Sequence, residues 1–302
     1  MPRSIFPTAA LLALLALAPV VAQPDKRAAE PLDGPPVVSA KAWIVVDGQT
    51  GKKLWGGNEA EARPMASTSK IMTAWIVLRL AVADPKVLDE VVTYSERAAK
   101  TIGSSAQLKA GEKVTAGNLL YGLLLPSGND AATALAEHFG PRFGDEKDGD
   151  DQQRFVVEMN RRAKALGLKE MAYKDPHGLS PNNVSSARDL AALALEAMKD
   201  ERFRGYVATR RHECEVIGPD GEKRKVTWTN TNRLLDIEGY EGIKTGTTTP
   251  AGNCLVASAK RGDDRLIVVV LGSTATDGRY VDARNLFRWA WTERGHKPEP
   301  KK

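Results

Sequence analysis

Apolar and polar positions follow two rhythms along this chain, and the rhythm changes more than once. From Ala42 the stretch AWIVVDGQTGKKLWGG carries two apolar runs around Asp47-Gly48 and Thr50-Gly51, the pattern of a β-hairpin. From Ser67 the sequence STSKIMTAWIVLRLAVA is apolar on nearly every side of a helix, which predicts a helix buried at the centre of the protein. Helical periodicity continues over 117–125, 129–139, 154–167 and 186–200, interrupted by the acidic, glycine-containing loop GPRFGDEKDGDDQQ. After about Arg210 the segments HECEVIG, EGIKTGTT, NCLVASAK and RLIVVVL are short, rich in β-branched residues and separated by turn formers, as strands are. RYVDARNLFRWAWTERG then reads as one C-terminal helix that stops at Gly295. Strands at both ends with helices between them predict an α+β fold. An antiparallel sheet built from both chain ends is flanked by helices and carries a mostly helical insert.

The N-terminus obeys neither rhythm. Arg3 precedes the apolar stretch TAALLALLALA, followed by Pro19-Val20-Val21-Ala22, which together have the layout of a secretory signal peptide over 1–22. An apolar stretch of 11 residues is too short to cross a hydrocarbon layer of roughly 30 Å. The sequence therefore predicts an exported protein, periplasmic or otherwise extracytoplasmic. QPDKRAAEPLDGPP (23–36) reads as a Pro-rich linker, 37–296 as the folded domain and 297–302 as a polar tail. That tail has no apolar stripe, so a soluble protein without a stable membrane anchor is expected.

Composition narrows the picture only slightly. In 302 residues, 42% are hydrophobic and 27% charged, as in an ordinary soluble protein. The net charge of +5 is scattered rather than gathered into a basic stripe, so no nucleic-acid partner is expected. An oxidising compartment permits a disulfide between Cys214 and Cys254, and two buried free thiols are equally compatible with a core of this size. The 4 histidines are dispersed, and no metal or other cofactor is expected. His177, in DPHGLS, reads as a turn residue rather than a base.

The chemistry resides in three short motifs. Ser67-Thr68-Ser69-Lys70 opens the central helix, which puts Lys70 at i+3 on the same side as the Ser67 hydroxyl. A serine hydroxyl needs a neighbouring base to become a good nucleophile. Lysine serves as that base when burial and a nearby cation, here Lys244, lower its pKa. The bland alternative, a capping Ser67 with a surface Lys70, sets a cation against the helix dipole. Ser127-Gly128-Asn129 falls between two helical runs and offers a hydroxyl and an amide to relay a proton or bind a peptide; Ser127 can equally be read as an N-cap. Lys244-Thr245-Gly246-Thr247 lies on a predicted strand. Its Lys and Thr suit a terminal carboxylate, Gly246 admits a ligand close to the backbone, and the Thr247 and Ser67 amides can form an oxyanion hole.

In this order the motifs resemble the signature shared by penicillin-binding proteins and class A β-lactamases. With LLYGLLLPSGNDAA, MNRRAKALG, DPHGLS followed by SSARDLA, NTNRLL and GIKTGTTTPAGNCLVASAKRG, the chain from about Val38 to Arg294 is similar to the D-alanyl-D-alanine carboxypeptidases, the low-molecular-mass penicillin-binding proteins. The resemblance implies the penicillin-binding/β-lactamase-like fold. It further implies Ser67 as acylated nucleophile, Lys70 as base, and Ser127, Asn129 and Lys244 as a polar network. Thr245 is then the ligand of the substrate carboxylate and Thr247 the oxyanion donor. The expected partners are peptidoglycan stem peptides ending in D-Ala-D-Ala and β-lactam inhibitors. One departure stands out: some family members carry an Arg just after the last long strand, where this chain has Ser273-Thr274. Fewer carboxylate partners would leave D,D-endopeptidase cleavage of cross-links open. A class A-like β-lactamase needs a Glu for deacylation, for which only Glu158-Met159-Asn160 is a candidate; a non-catalytic wall-binding protein would need no activated serine.

Overall fold

The computed structural model describes Met1 and residues 35–297 except 146 and 148, so the expected signal peptide apart from Met1, nearly all of the expected linker and most of the expected tail lie outside the described residues. The described chain starts with a hairpin, β1 (Ala42–Asp47) and β2 (Lys53–Gly57), followed by the short β3 (Arg63–Pro64) and the central helix α1 (Lys70–Ala83). Next come β4 (Val91–Thr93), α2 (Glu96–Ala99), β5 (Lys113–Thr115), α3 (Ala116–Leu124), α4 (Asn129–Phe139) and α5 (Asp151–Ala165). The second half holds β6 (Val184–Ser185), α6 (Ala187–Ala197), α7 (Glu201–Ala208), β7 (Arg211–Ile217) and β8 (Lys223–Thr229). It closes with β9 (Tyr240–Thr248), β10 (Gly252–Arg261), β11 (Asp264–Ser273) and α8 (Gly278–Glu293).

The expected α+β layout holds: a five-stranded sheet in the order β2-β1-β11-β10-β9 joins both chain ends. β1 runs antiparallel to β11, with Ala42 opposite Leu271 and Asp47 opposite Leu266. The LIVVVL run (266–271) is apolar at every position because both faces of the sheet are covered. Ile267, Val269 and Leu271 point into the helical core around α1 and α6, while Leu266, Val268 and Val270 pack with Leu286, Phe287 and Trp291 of α8. Asp282 fastens α8 to both chain ends by accepting from the Ser39 and Ala40 amides and from Ser273 Oγ.

The central helix is buried, as its all-round apolar pattern requires. The window Ala66–Ala83 is long and apolar enough to cross a membrane, yet 72% of it is covered by the protein's own elements. The middle of the chain departs from expectation. HECEVIG forms β7 outside the central sheet, in a separate four-stranded sheet ordered β4-β5-β7-β8. Its period-2 alternation of exposed and covered residues is that of a one-sided sheet. The insert is mostly helical, as expected, and carries this small second sheet in addition. Cys214 on β7 and Cys254 on β10 accordingly lie in different sheets, and both are free thiols. Part of the acidic loop is helix-start chemistry: Asp150 caps α5 in a capping box with Gln153 and pairs with Arg97.

Candidate active site

Ser67 sits in a single 3-10 turn, Ala66–Ser69, that leads directly into α1. The turn is bent sharply, since Ala66 adopts φ +48°, a conformation that costs a non-glycine residue energy. Two glycines hold the turn from opposite sequence distances. A Cβ on Gly178 would lie 2.0 Å from the Ala66 carbonyl oxygen, and one on Gly246 would lie 2.9 Å from the Ser67 nitrogen. Gly246 thus does more than admit a ligand: it lets β9 close against the serine turn. The result is a partly exposed Ser67 above a fully buried Lys70.

Lys70 Nζ has three oxygen partners: Ser67 Oγ at 3.0 Å, Asn129 Oδ1 at 2.7 Å and the His177 carbonyl at 2.7 Å. The Asn129 orientation is fixed by its Nδ2 donating to the Ile102 carbonyl at 2.8 Å. Two of the three partners can only accept, so a neutral Lys70 spends its two N–H bonds on them and turns its lone pair toward Ser67 Oγ. Burial, followed by the charge of Lys244, pushes the Lys70 ammonium well below its usual range, against the opposing pull of Asp175 and Asp130. Lys244 is itself buried; burial and the Arg279 charge bring it down to about 7, and its Nζ donates to the Thr245 carbonyl at 3.1 Å.

His177 is the turn residue it was expected to be, and the turn serves the site through its carbonyl. The Asp175 carboxylate accepts from the amides of His177, Gly178 and Ser180, and α1 adds a bond from Thr73 Oγ1 to the Pro176 carbonyl. Burial works to raise the Asp175 carboxyl, but its His177 contact and the Gly178 and Ser180 amides outweigh it and hold that carboxyl well below its usual range. Ser127 is not the N-cap of α4, because Gly128 occupies that position without a side-chain cap bond. Ser127 instead takes φ +67°, and its Oγ is buried with no hydrogen-bond partner. A buried hydroxyl in that condition is ready for a substrate atom.

On β9, Thr245 Oγ1 lies 2.7 Å from Thr231 Oγ1. Thr247 Oγ1 donates to Asn253 Oδ1 at 3.2 Å and accepts from Arg279 at 2.9 Å. Arg279, from the first turn of α8, also donates to the Gly246 carbonyl at 3.2 Å, and its Nε is buried without a partner. Ser273-Thr274 places no guanidinium directly after the last strand, and the following helix brings Arg279 beside Gly246 and Thr247 instead. The one sequence signal of Arg279 is a cation in a helix's first turn, where the dipole disfavours it. Glu158, the β-lactamase candidate, is consumed by Arg161 and Arg162 on α5, while Asn160 bonds the Val156 and Tyr173 carbonyls. Among the described residues no cluster of three or more metal-ligating side chains occurs.

Comparison with known proteins agrees with this geometry. Residues 27–275 match the family described as D-alanyl-D-alanine carboxypeptidase. D-alanyl-D-alanine carboxypeptidase DacF of Bacillus subtilis is 34% identical over 256 residues, covering 84% of this chain and 62% of that protein. DacC of Escherichia coli is 36% identical over 277 residues, covering 89% of this chain and 65% of that protein. The chain thus spans less than two thirds of the length of these two relatives. The crystal structure of the Streptomyces K15 DD-transpeptidase superposes with a TM-score of 0.79 at 35% identity, over 86% of this chain and 99% of that one. DacD of Francisella tularensis gives 0.77 at 30% identity, over 89% and 74%. With a match of this length and three motifs brought together at one serine, the chain belongs to the D-alanyl-D-alanine carboxypeptidase family.

Proposed function

We propose that this protein is a serine-type D-Ala-D-Ala carboxypeptidase that removes the terminal D-Ala from peptidoglycan stem peptides and is acylated by β-lactams. The observation that carries the reading is the contact between Lys70 Nζ and Ser67 Oγ, with the other two Lys70 partners being acceptors. Ser67 Oγ bonds to the penultimate D-Ala carbonyl carbon while its proton passes to Lys70. The Ser67 and Thr247 amides receive the developing oxyanion. The C–N bond then breaks, and the departing D-Ala nitrogen takes a proton relayed through Ser127. Water adds to the acyl carbon, and Ser67 leaves with a proton restored. Asn129 holds Lys70 in place, and Lys244, Thr245 and Arg279 receive the substrate carboxylate.

Arg279 favours carboxypeptidase over endopeptidase action, because a buried guanidinium with an unpartnered Nε suits a free terminal carboxylate. The catalytic unit spans 37–296, and the Arg3-led apolar segment, with the family membership, supports export and removal of 1–22. The test is labelling with a fluorescent penicillin and D-Ala release from a peptide ending in D-Ala-D-Ala. Both should vanish in Ser67→Ala while the fold persists; labelling that survives that substitution overturns the reading.

A further inference from the structure

We propose that Thr231, in the NTNRLL segment, is a positioning residue that aims the Thr245 hydroxyl at the substrate carboxylate; this rests on the function proposed above. Three elements of the site meet at Thr231. Its amide donates to the Leu125 carbonyl at 3.0 Å, two residues before Ser127. Its Oγ1 lies 2.7 Å from Thr245 Oγ1. Its carbonyl accepts from Tyr280 Oη at 2.9 Å, and Tyr280 Oη in turn accepts from Arg279 Nη2 at 3.5 Å.

The hydroxyl pair has a direction once a carboxylate is present. A hydroxyl has one proton, and the carboxylate only accepts, so Thr245 must spend its proton on the ligand. The short contact between the two hydroxyls then persists only if Thr231 donates and Thr245 accepts. Thr245 is buried and has little freedom to turn elsewhere, whereas Thr231 is exposed and can supply that proton at no cost to the core. Through Tyr280 the same residue fixes the loop against Arg279. Thr231 therefore couples a neutral and a cationic partner of one carboxylate without itself binding it.

The experiment measures steady-state D-Ala release by wild type, Thr231→Val, Thr231→Ser, Thr245→Val and the Thr231→Val/Thr245→Val double variant, on a peptide ending in D-Ala-D-Ala. Thr231→Val should raise KM about fivefold with kcat within twofold, Thr231→Ser should restore the wild-type KM, and Thr231→Val should add nothing in the Thr245→Val background. Each variant is checked by thermal melting, and Thr231→Ala replaces the valine variant should that one fail to fold. An unchanged KM in Thr231→Val, a Thr231→Ser as defective as the valine variant, or additive effects in the double variant would overturn the proposal. A wild type that releases no D-Ala strikes the carboxypeptidase reading instead, so the two failures are told apart.

Discussion

Asn129 Oδ1 lies 2.7 Å from Lys70 Nζ, while the same amide's Nδ2 donates to the Ile102 carbonyl at 2.8 Å. A neutral side chain thus fixes a buried lysine without charging it. Replacing that amide by a carboxylate would stabilise the ammonium and remove the lone pair that Ser67 needs. Asn129→Asp is expected to lower penicillin acylation at neutral pH by about 10²-fold, the low end of what a general base usually contributes. Part of the loss should be recovered as pH rises and Lys70 gives up its proton. Stopped-flow acylation rates across pH 6 to 10 would check this, and a pH-independent loss would contradict it.

Lys244 bears on the same equilibrium from the other side. Its pKa, brought to about 7 by burial and by Arg279, means that it gains charge as pH falls through neutrality. A charged Lys244 disfavours a charged Lys70. Lys244→Gln removes that repulsion, so the Lys70 pKa should rise and the acid limb of the acylation profile should move to higher pH. A depressed lysine binds fewer protons folded than unfolded between about 7 and its usual value of 10.5, so its penalty shrinks as pH rises through that window.

The two glycines around the serine turn should fail differently. Gly178 has φ +95°, and an added Cβ would meet backbone at 2.0 Å, so Gly178→Ala should lower the melting temperature by several degrees. Gly246→Ala meets the Ser67 nitrogen at 2.9 Å from an extended strand; it should keep the fold and lose acylation rate. Thermal melting paired with penicillin labelling separates the outcomes.

Arg279→Leu should reduce kcat/KM for D-Ala-D-Ala peptides by 10- to 100-fold, the usual worth of a charge-assisted contact to a carboxylate of about 1.5–3 kcal/mol. A peptide carrying a C-terminal amide should be far less affected, because it offers no anion to the guanidinium. Equal losses on both peptides would show Arg279 to be structural.

Glu158→Gln should leave the lifetime of the penicilloyl enzyme unchanged, since its carboxylate is paired with Arg161 and Arg162 rather than with water near Ser67. It should cost roughly 1 kcal/mol of stability at pH 7. Burial works to raise the Glu158 carboxyl, but the two arginines outweigh it and the net effect is a lowered pKa. The wild-type advantage is therefore present above the ordinary glutamate range and fades as pH falls below it. Urea denaturation at pH 7 and pH 3.5 measures both.

Local pattern was enough to read the central sheet, the buried helix and Ser67 with Lys70, because i to i+3 spacing and period-2 alternation are properties of short segments. The order of the three motifs also made their meeting legible. What stayed hidden depends on long-range backbone placement. No periodicity reveals that the His177 carbonyl is a partner of Lys70, that Ala66 and Ser127 are held at positive φ, or that β7 leaves the central sheet for one shared with β4 and β5. Local pattern makes Arg279 only part of a C-terminal helix, although a cation in the first turn of α8 is a weak signal. The sequence by itself determined which groups can react. The packing of α8, the Asp175–Ser180 turn and β9 around one serine decided which of them can be reached, because hydrogen bonds and charges act over a few ångströms that only the folded chain sets.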